Sequence, residues 1–113
     1  MLRVKRIYDP VSPSDGRRIL IDRLWPRGIK KADAAIDAWL KDIAPSADLR
    51  KWFAHDPVKW HEFEKRYRAE LKGKADLVER LRKEAEKKTV TLLFSARDAE
   101  HNNAVVLKGV IGK

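Results

Sequence analysis

An arginine-rich turn is the first part of this sequence whose residue types could do chemistry. An apolar run at 19–21 leads into a group of polar, charged and turn-forming residues: Asp22, Arg23, Trp25, Arg27 and Gly28. A guanidinium beside a glycine presents a planar fork and exposed backbone N–H groups to a phosphate or a carboxylate. The turn therefore predicts an anion site. The alternative is structural, because the Asp22 carboxylate needs a partner and an Asp–Arg pair would hold the strand end to the loop.

A second group of polar residues follows the most β-branched and apolar stretch of the chain, at 89–95. Its members are Ser95, Arg97, Asp98, His101 and Asn102. We expect Asp98 to cap a helix over 99–110, with an edge strand over 105–111 as the alternative. A helix N-terminus attracts anions through its free N–H groups. His101 in this group and Asp22 in the first group are candidates for a general acid or base.

Hydrophobic periodicity predicts the strands and helices that must position these two groups. Alternation and short apolar runs predict strands over 2–8, 18–24 and 89–95. Apolar residues at helical spacing predict four helices. The first covers 33–43, the second is a short helix capped by Ser46, the third runs from Pro57 to about Gly73, and the fourth covers 75–87. Because helices separate the second strand from the third, these strands should pair in parallel. The sequence thus predicts an α/β fold in one domain over 1–113, with a small, mostly parallel sheet covered by helices. The loop between the first two strands fits either a hairpin or a short parallel crossover.

Parallel pairing would bring both polar groups to the carboxyl edge of the sheet, where ligands usually bind in α/β folds. Arg23, Arg27 and Arg97 would then hold one anion in a shared cleft. The residues that we expect to contact the ligand are Asp22, Arg23, Trp25, Arg27, Gly28, Ser95, Arg97 and Asn102. Such a cleft would not exist if Arg27 and Arg97 lay on opposite sides of the molecule.

The composition favours an anionic partner and a reducing compartment. The net charge is +9, and residues 1–31 hold nine Lys or Arg against three Asp. This balance attracts phosphates and nucleic acid. There is no cysteine, and no apolar run approaches the ~20 residues of a membrane span, so we expect a soluble cytoplasmic protein with no membrane partner. The three histidines, His55, His61 and His101, match no standard ligand spacing, so the sequence predicts neither a metal nor a cofactor.

Motifs along most of the chain are similar to those of a known family. They are Lys5-Arg6-Ile7-Tyr8-Asp9, Ile21-Asp22-Arg23-Leu24-Trp25-Pro26-Arg27-Gly28, Ala44-Pro45-Ser46 with Leu49-Arg50-Lys51-Trp52-Phe53, and Leu92-Leu93-Phe94-Ser95-Ala96-Arg97 with Asn102. On these motifs the chain resembles the YeaO-like branch of domain-of-unknown-function family 488, a family of uncharacterised proteins. The resemblance implies a compact Rossmann-like α/β fold, and it supports a site more than any reaction. More distant members have Asp-x-Arg at the strand end and Cys-His-Arg near the C-terminus. The corresponding places here are Asp22-Arg23 and His101-Asn102, without the cysteine.

Three functions are consistent with these patterns. The first is binding of a phosphorylated or nucleotide-like small anion in the arginine-lined cleft, and the question of whether the protein is also an enzyme stays open. The second is nucleic-acid binding by a basic surface made of Arg17, Arg18, Lys30, Lys31 and the basic helices. The third is an interaction module whose basic face docks on an acidic protein. The cations at 57–88 lie at helical spacing from Glu residues, which favours the first function over the second.

Overall fold

Four parallel strands form the centre of the protein in this computed structural model, which describes residues 1–112. The strands are β1 (Leu2–Arg6), β2 (Arg17–Leu20), β3 (Ala38–Trp39) and β4 (Val90–Phe94). Their order across the sheet is β1-β4-β2-β3, and each neighbouring pair runs parallel. The predicted α/β fold and the parallel pairing of the second and last predicted strands are confirmed. Because β4 lies between β1 and β2, the first connection is a crossover and not a hairpin.

The helices of the described chain pack against one face of this sheet. They are α1 (Ala47–Phe53), α2 (Trp60–Lys72), α3 (Ala75–Lys87) and α4 (Asn103–Ile111). The Ser46 hydroxyl caps α1 by accepting from the Leu49 N–H, and the Asp56 carboxylate caps the 3-10 turn Pro57–Lys59 that leads into α2 by accepting from the Val58 N–H. None of the described helices combines the length and the apolar character that crossing a membrane requires.

The larger core lies between this face of the sheet and the helices. Ile19 on β2 and Leu92 on β4 are buried there together with Tyr67 of α2 and Leu107 of α4. The Tyr67 hydroxyl donates to the Ile43 carbonyl at 2.7 Å, so its polar atom is satisfied inside the core. Burial of each large apolar side chain contributes roughly 1.5–3 kcal/mol, which makes this core the main support of the sheet.

A smaller core covers the opposite face of the sheet, and loops form it in place of helices. Leu20 and Leu93 are the next residues along β2 and β4, so their side chains face the other way and are buried there. Trp25 and Trp39 pack edge to face beside them, with ring centroids 5.3 Å apart. The chain between β2 and β3 therefore serves as the cover of this face.

The predicted helix over 33–43 is wrong. This part of the chain contains a 3-10 turn at Lys31–Asp33, the short strand β3, and a second 3-10 turn at Lys41–Ile43. Ala35 has a φ of +50°, which no right-handed helix allows. The stretch consequently forms no α-helix, and its middle part runs along the sheet edge.

The open edge of β2 explains why this segment is extended. Strand edges leave N–H and C=O groups that need partners. The Arg18 carbonyl accepts from the Asp37 N–H at 2.8 Å, and the Leu20 carbonyl accepts from the Leu40 N–H at 2.9 Å. The apolar residues at helical spacing divide between the two cores, with Ile36 and Trp39 in the smaller and Leu40 and Ile43 in the larger.

The last helix begins later than predicted. A helix over 99–110 capped by Asp98 was expected, but α4 starts at Asn103 and Asn102 is its N-cap. Asn102 Oδ1 accepts the N–H of the third residue after it at 3.0 Å. The Asp98 carboxylate accepts the N–H groups of Glu100 and His101 in a separate turn, so residues 95–102 form a connecting loop above the sheet edge.

A buried ionic group lies on the second face, at the crossover from β1 to β2. Arg18 and Asp15 are only 4% and 3% exposed, and Arg18 Nη1 donates to Asp15 Oδ2 at 2.5 Å. Lys5 Nζ donates to both oxygens of the same carboxylate at 3.1 Å. Burial raises the pKa of Asp15. The N–H of Ser12 and the two cations lower this pKa by more, so the net shift is downward. Arg18 thus braces the fold.

Candidate anion-binding site

A cleft of about 840 Å³ opens at the carboxyl edge of the sheet. The loop after β2, the connection from β4 to α4, and α1 form its walls. Both polar groups of the sequence reach it, and the residues they contribute are Asp22, Arg23, Trp25, Arg27, Ser95, Arg97, His101 and Asn102. Arg27 and Arg97 therefore line the same cleft. Gly28 does not line it, and its φ of +77° shows that it serves the turn that carries Arg27.

The Asp22 carboxylate is held at the end of β2 by neutral donors. Asp22 Oδ2 accepts from the backbone N–H and the hydroxyl of Ser95, at 2.9 and 2.7 Å. Asp22 Oδ1 accepts from Asn103 Nδ2 at 3.0 Å. Among the described residues, no Lys or Arg forms an ion pair with Asp22, so the predicted structural alternative of an Asp22–arginine brace is wrong.

Two of the arginines in the cleft are fixed by carbonyl groups. Arg6 Nε donates to the Ala96 carbonyl at 2.8 Å, and Arg23 Nε donates to the Pro45 carbonyl at 3.3 Å. Each guanidinium keeps further N–H groups beyond these bonds. Arg6 and Arg23 therefore supply positive charge from fixed positions at the base of the cleft.

Three further arginines in the cleft have no partner in the described part of the chain. The side chains of Arg27, Arg50 and Arg97 are exposed, line the cleft, and form no hydrogen bond or ion pair there. Asp22 is the one carboxylate among the cleft-lining residues. The cleft therefore has a strong excess of positive charge, and most of it is available to a ligand.

The loop that carries Arg27 is fixed on two sides. The Tyr8 hydroxyl, from the chain after β1, donates to the Arg27 carbonyl at 2.8 Å. Trp25 Nε1 donates to the Ile29 carbonyl at 2.6 Å, and its ring packs on Trp39. Trp25 is thus part of the smaller core as well as a wall of the cleft.

The connection from β4 to α4 presents His101 and buries Asn102. His101 Nδ1 lies 2.8 Å from Asp98 Oδ2, and its ring meets the Trp60 ring edge to face at 5.1 Å. Backbone N–H groups of Glu100 and His101, together with the His101 ring, lower the pKa of the Asp98 carboxyl. Asn102 is 2% exposed, and both ends of its amide are bonded within the chain, to the first turn of α4 and to the Asp98 carbonyl.

Sequence reasoning missed several residues of the cleft, namely Arg6, Tyr8, Arg50, Phe53, His55, Phe63 and Asn103. Arg6 and Tyr8 reach the cleft because β1 runs parallel to β4 and therefore ends at the same edge of the sheet. The length of the loop between β1 and β2 did not determine the direction of β1, so the sequence did not predict these two residues. Phe53 and Phe63 stack at 4.2 Å and line the wall from the helical side. Within residues 1–112, no group of three or more His, Asp or Glu is arranged to hold a metal ion.

These features together define an α/β protein with an arginine-lined cleft at the carboxyl edge of a four-stranded parallel sheet. The model of a family described as the inactive DUF488-N3 subclade matches residues 1–113, and the chain belongs to this family.

The relatives confirm the resemblance to the YeaO-like branch. The chain is 49% identical over 106 residues to the uncharacterised protein YeaO of Escherichia coli K12, across 94% of this chain and 92% of YeaO. It is 43% identical over 106 residues to the uncharacterised protein Rv3073c of Mycobacterium tuberculosis H37Rv, across 94% of this chain and 89% of the relative. No solved structure matches the chain.

Proposed function

We propose that this protein binds a small phosphorylated or nucleotide-like anion in the cleft, without converting it. The observation that carries the proposal is the group of three exposed arginines, Arg27, Arg50 and Arg97, which line one cleft and have no partner in the described chain. A guanidinium matches a phosphate or carboxylate with two parallel hydrogen bonds. A ligand of that chemistry would supply the negative charge that the cleft lacks.

Aromatic walls support a ligand with a planar ring beside its anionic group. Tyr8, Trp25, Phe53 and Phe63 all line the cleft. Small-molecule sites typically measure about 300–1,000 Å³ and combine apolar walls with a few convergent polar groups. A cleft of about 840 Å³ has room for a nucleoside phosphate.

Binding without turnover is supported by the family and by the absence of a cysteine. The family is described as an inactive subclade. The chain has no cysteine, so a thiol nucleophile is excluded. The Asp22 carboxylate is held in place by Ser95 and Asn103, so its orientation toward the cleft is fixed. We assign Asp22 to ligand binding.

The alternative of a nucleic-acid surface has less support. Of its four named cations, Arg18 is buried against Asp15, and Arg17 Nε pairs with Glu84 at 3.1 Å. A surface that follows phosphates needs exposed, unpaired cations along its length. Lys30 and Lys31 meet the requirement of exposure, but both lie on one loop.

Thermal unfolding with small anions tests the proposal. The probes are inorganic phosphate, ribose 5-phosphate and the four ribonucleoside 5′-monophosphates. A probe at about ten times its Kd stabilises the folded state by ~1.4 kcal/mol, which raises the Tm by about 5 °C in a domain of this size. The double variant Arg27→Ala/Arg97→Ala should lose this shift. Arg80→Ala, on the exposed side of α3 and outside the cleft, is the matched control and should keep it.

Four results would count against the proposal. An equal shift in the double variant would place the ligand elsewhere, and no shift with any probe would leave the cleft without a nucleotide-like ligand. Conversion of a bound probe, detected by chromatography after incubation, would overturn binding without turnover. A steep fall of DNA or RNA affinity with rising salt, retained in the double variant, would favour the nucleic-acid surface.

A further inference from the structure

The Asp22 carboxylate has one acceptor position that the protein leaves unfilled. A carboxylate can accept about four hydrogen bonds, two at each oxygen. Oδ2 accepts two, from the N–H and the hydroxyl of Ser95. Oδ1 accepts one, from Asn103, and no other described residue donates to it. Because Asp22 lines the cleft and is only half-buried, a ligand can reach the remaining position on Oδ1.

The Ser95 hydroxyl offers a second acceptor beside the first. Its proton is donated to Asp22 Oδ2 at 2.7 Å, so only the lone pairs of Ser95 Oγ remain for the cleft. No described residue donates to them, and Ser95 also lines the cleft. Since both acceptors belong to one hydrogen-bonded pair, a ligand group with two neighbouring donors can reach both.

The surrounding charge decides what kind of donor fits there. Five arginines line the cleft, and like charges repel an ammonium group brought among them. The negative charge of Asp22 equally repels a phosphate placed against it. A phosphate therefore belongs on the side of Arg27, Arg50 and Arg97, and a neutral donor such as a hydroxyl belongs at Asp22.

We infer that the cleft selects ribonucleoside phosphates through their vicinal 2′- and 3′-hydroxyl groups, which donate to Asp22 Oδ1 and Ser95 Oγ. This inference rests on the proposed function and names the ligand class of the same site. Neutral hydroxyls satisfy both acceptors, and the anion of the same molecule meets the arginines. A nucleotide that lacks both hydroxyls would leave the two acceptors without donors, which weakens binding.

Titration calorimetry with a matched pair of nucleotides tests this selection. The pair is the ribonucleoside 5′-monophosphate that binds most tightly and its 2′,3′-dideoxy counterpart, which share base and phosphate. The wild-type protein should bind the dideoxy compound roughly 10- to 100-fold more weakly, as expected for two lost hydrogen bonds, one of them to a charged acceptor. In Asp22→Asn the charged acceptor is lost and Ser95 Oγ remains, so the ratio of the two Kd values should fall to only a few-fold.

Two further variants separate the diol contact from other effects. Ser95→Ala removes one acceptor, while the backbone N–H at 95 still holds Asp22. The ratio of the two Kd values should therefore fall several-fold in this variant. This measurement tests the inference independently of whether Asp22→Asn folds. Arg97→Ala should weaken both nucleotides by the same factor and leave the ratio unchanged.

The outcomes distinguish this inference from the proposed function. Equal affinity of the wild-type protein for the two nucleotides overturns the inference and leaves the proposed function standing. A ratio that Ser95→Ala and Asp22→Asn leave unchanged also overturns it. Absence of binding by every nucleotide and by ribose 5-phosphate overturns both.

Discussion

Two arginine–aspartate groups in this protein are built in opposite ways. At the crossover from β1 to β2, Arg18 and Asp15 are buried and bonded to each other at 2.5 Å. In the cleft, Asp22 is held by hydroxyl, amide and backbone donors, and Arg27 and Arg97 stay exposed without partners among residues 1–112. The first group is a closed ionic pair, whereas the second keeps its opposite charges apart.

The difference shows how one fold can keep cations for stability and for a ligand. A buried cation needs a charged partner, because an unpaired one is costly in a medium of low polarity. A cation reserved for a ligand must stay unpaired, which requires that nearby carboxylates be satisfied by neutral groups. Ser95 and Asn103 do this for Asp22.

The largest effect is expected at the closed pair. Asp15→Ala leaves the Arg18 guanidinium buried without its carboxylate partner, and the free energy of unfolding should fall by about 3–5 kcal/mol. Urea denaturation measures this loss. Asp42→Ala, at an exposed aspartate, is the control and should change stability by less than about 0.5 kcal/mol. A loss below about 1 kcal/mol in Asp15→Ala would contradict a structural role for the pair.

Acid should weaken the same pair in a defined direction. The folded protein holds the pKa of Asp15 below its ordinary value of 3.8, so the unfolded chain takes up a proton first as the pH falls. The stability that Asp15 contributes is therefore complete above that ordinary value and is lost as the pH falls through the lowered pKa. Urea denaturation at a series of acidic pH values should show a steeper decline for the wild type than for Asp15→Asn. An equal loss of stability with falling pH in both proteins would show that Asp15 is not the source of the acid sensitivity.

The smallest effect on stability is expected for the arginines of the cleft, in contrast to the buried pair. Arg27→Ala and Arg97→Ala should each change the free energy of unfolding by less than about 0.5 kcal/mol without ligand, since neither side chain has a described partner. The same changes should weaken nucleotide binding. A loss above about 1 kcal/mol in either variant would show that these arginines brace the fold after all.

The sequence was informative where one local signal acted alone. The run at 90–94 is apolar throughout because both faces of β4 are buried, and the stripe of Phe63, Tyr67 and Leu71 marks the one buried side of α2, so the local pattern was sufficient in both cases. The meeting of Arg27 and Arg97 followed from one topological rule, that parallel strands end at the same edge.

Prediction failed where distant parts of the chain decide the outcome. The segment at 33–43 has helical spacing, but the open edge of β2 holds it extended. Asp22 was expected to need an arginine, whereas Ser95 and Asn103 satisfy it from 73 and 81 residues away. Arg50 lies on a short helix whose approach to the cleft depends on the packing of α1 against α2. No local pattern carries such information.

The edge-to-face pair of Trp25 and Trp39 gives this protein a built-in optical reporter. Trp25 is both a wall of the cleft and one ring of an edge-to-face pair at 5.3 Å. Indole emission depends on the polarity around the ring, and excitations of two rings this close couple and contribute to circular dichroism. Occupancy of the cleft can therefore be followed by fluorescence or dichroism without any label, with Trp39→Phe separating the paired signal from that of the other tryptophans.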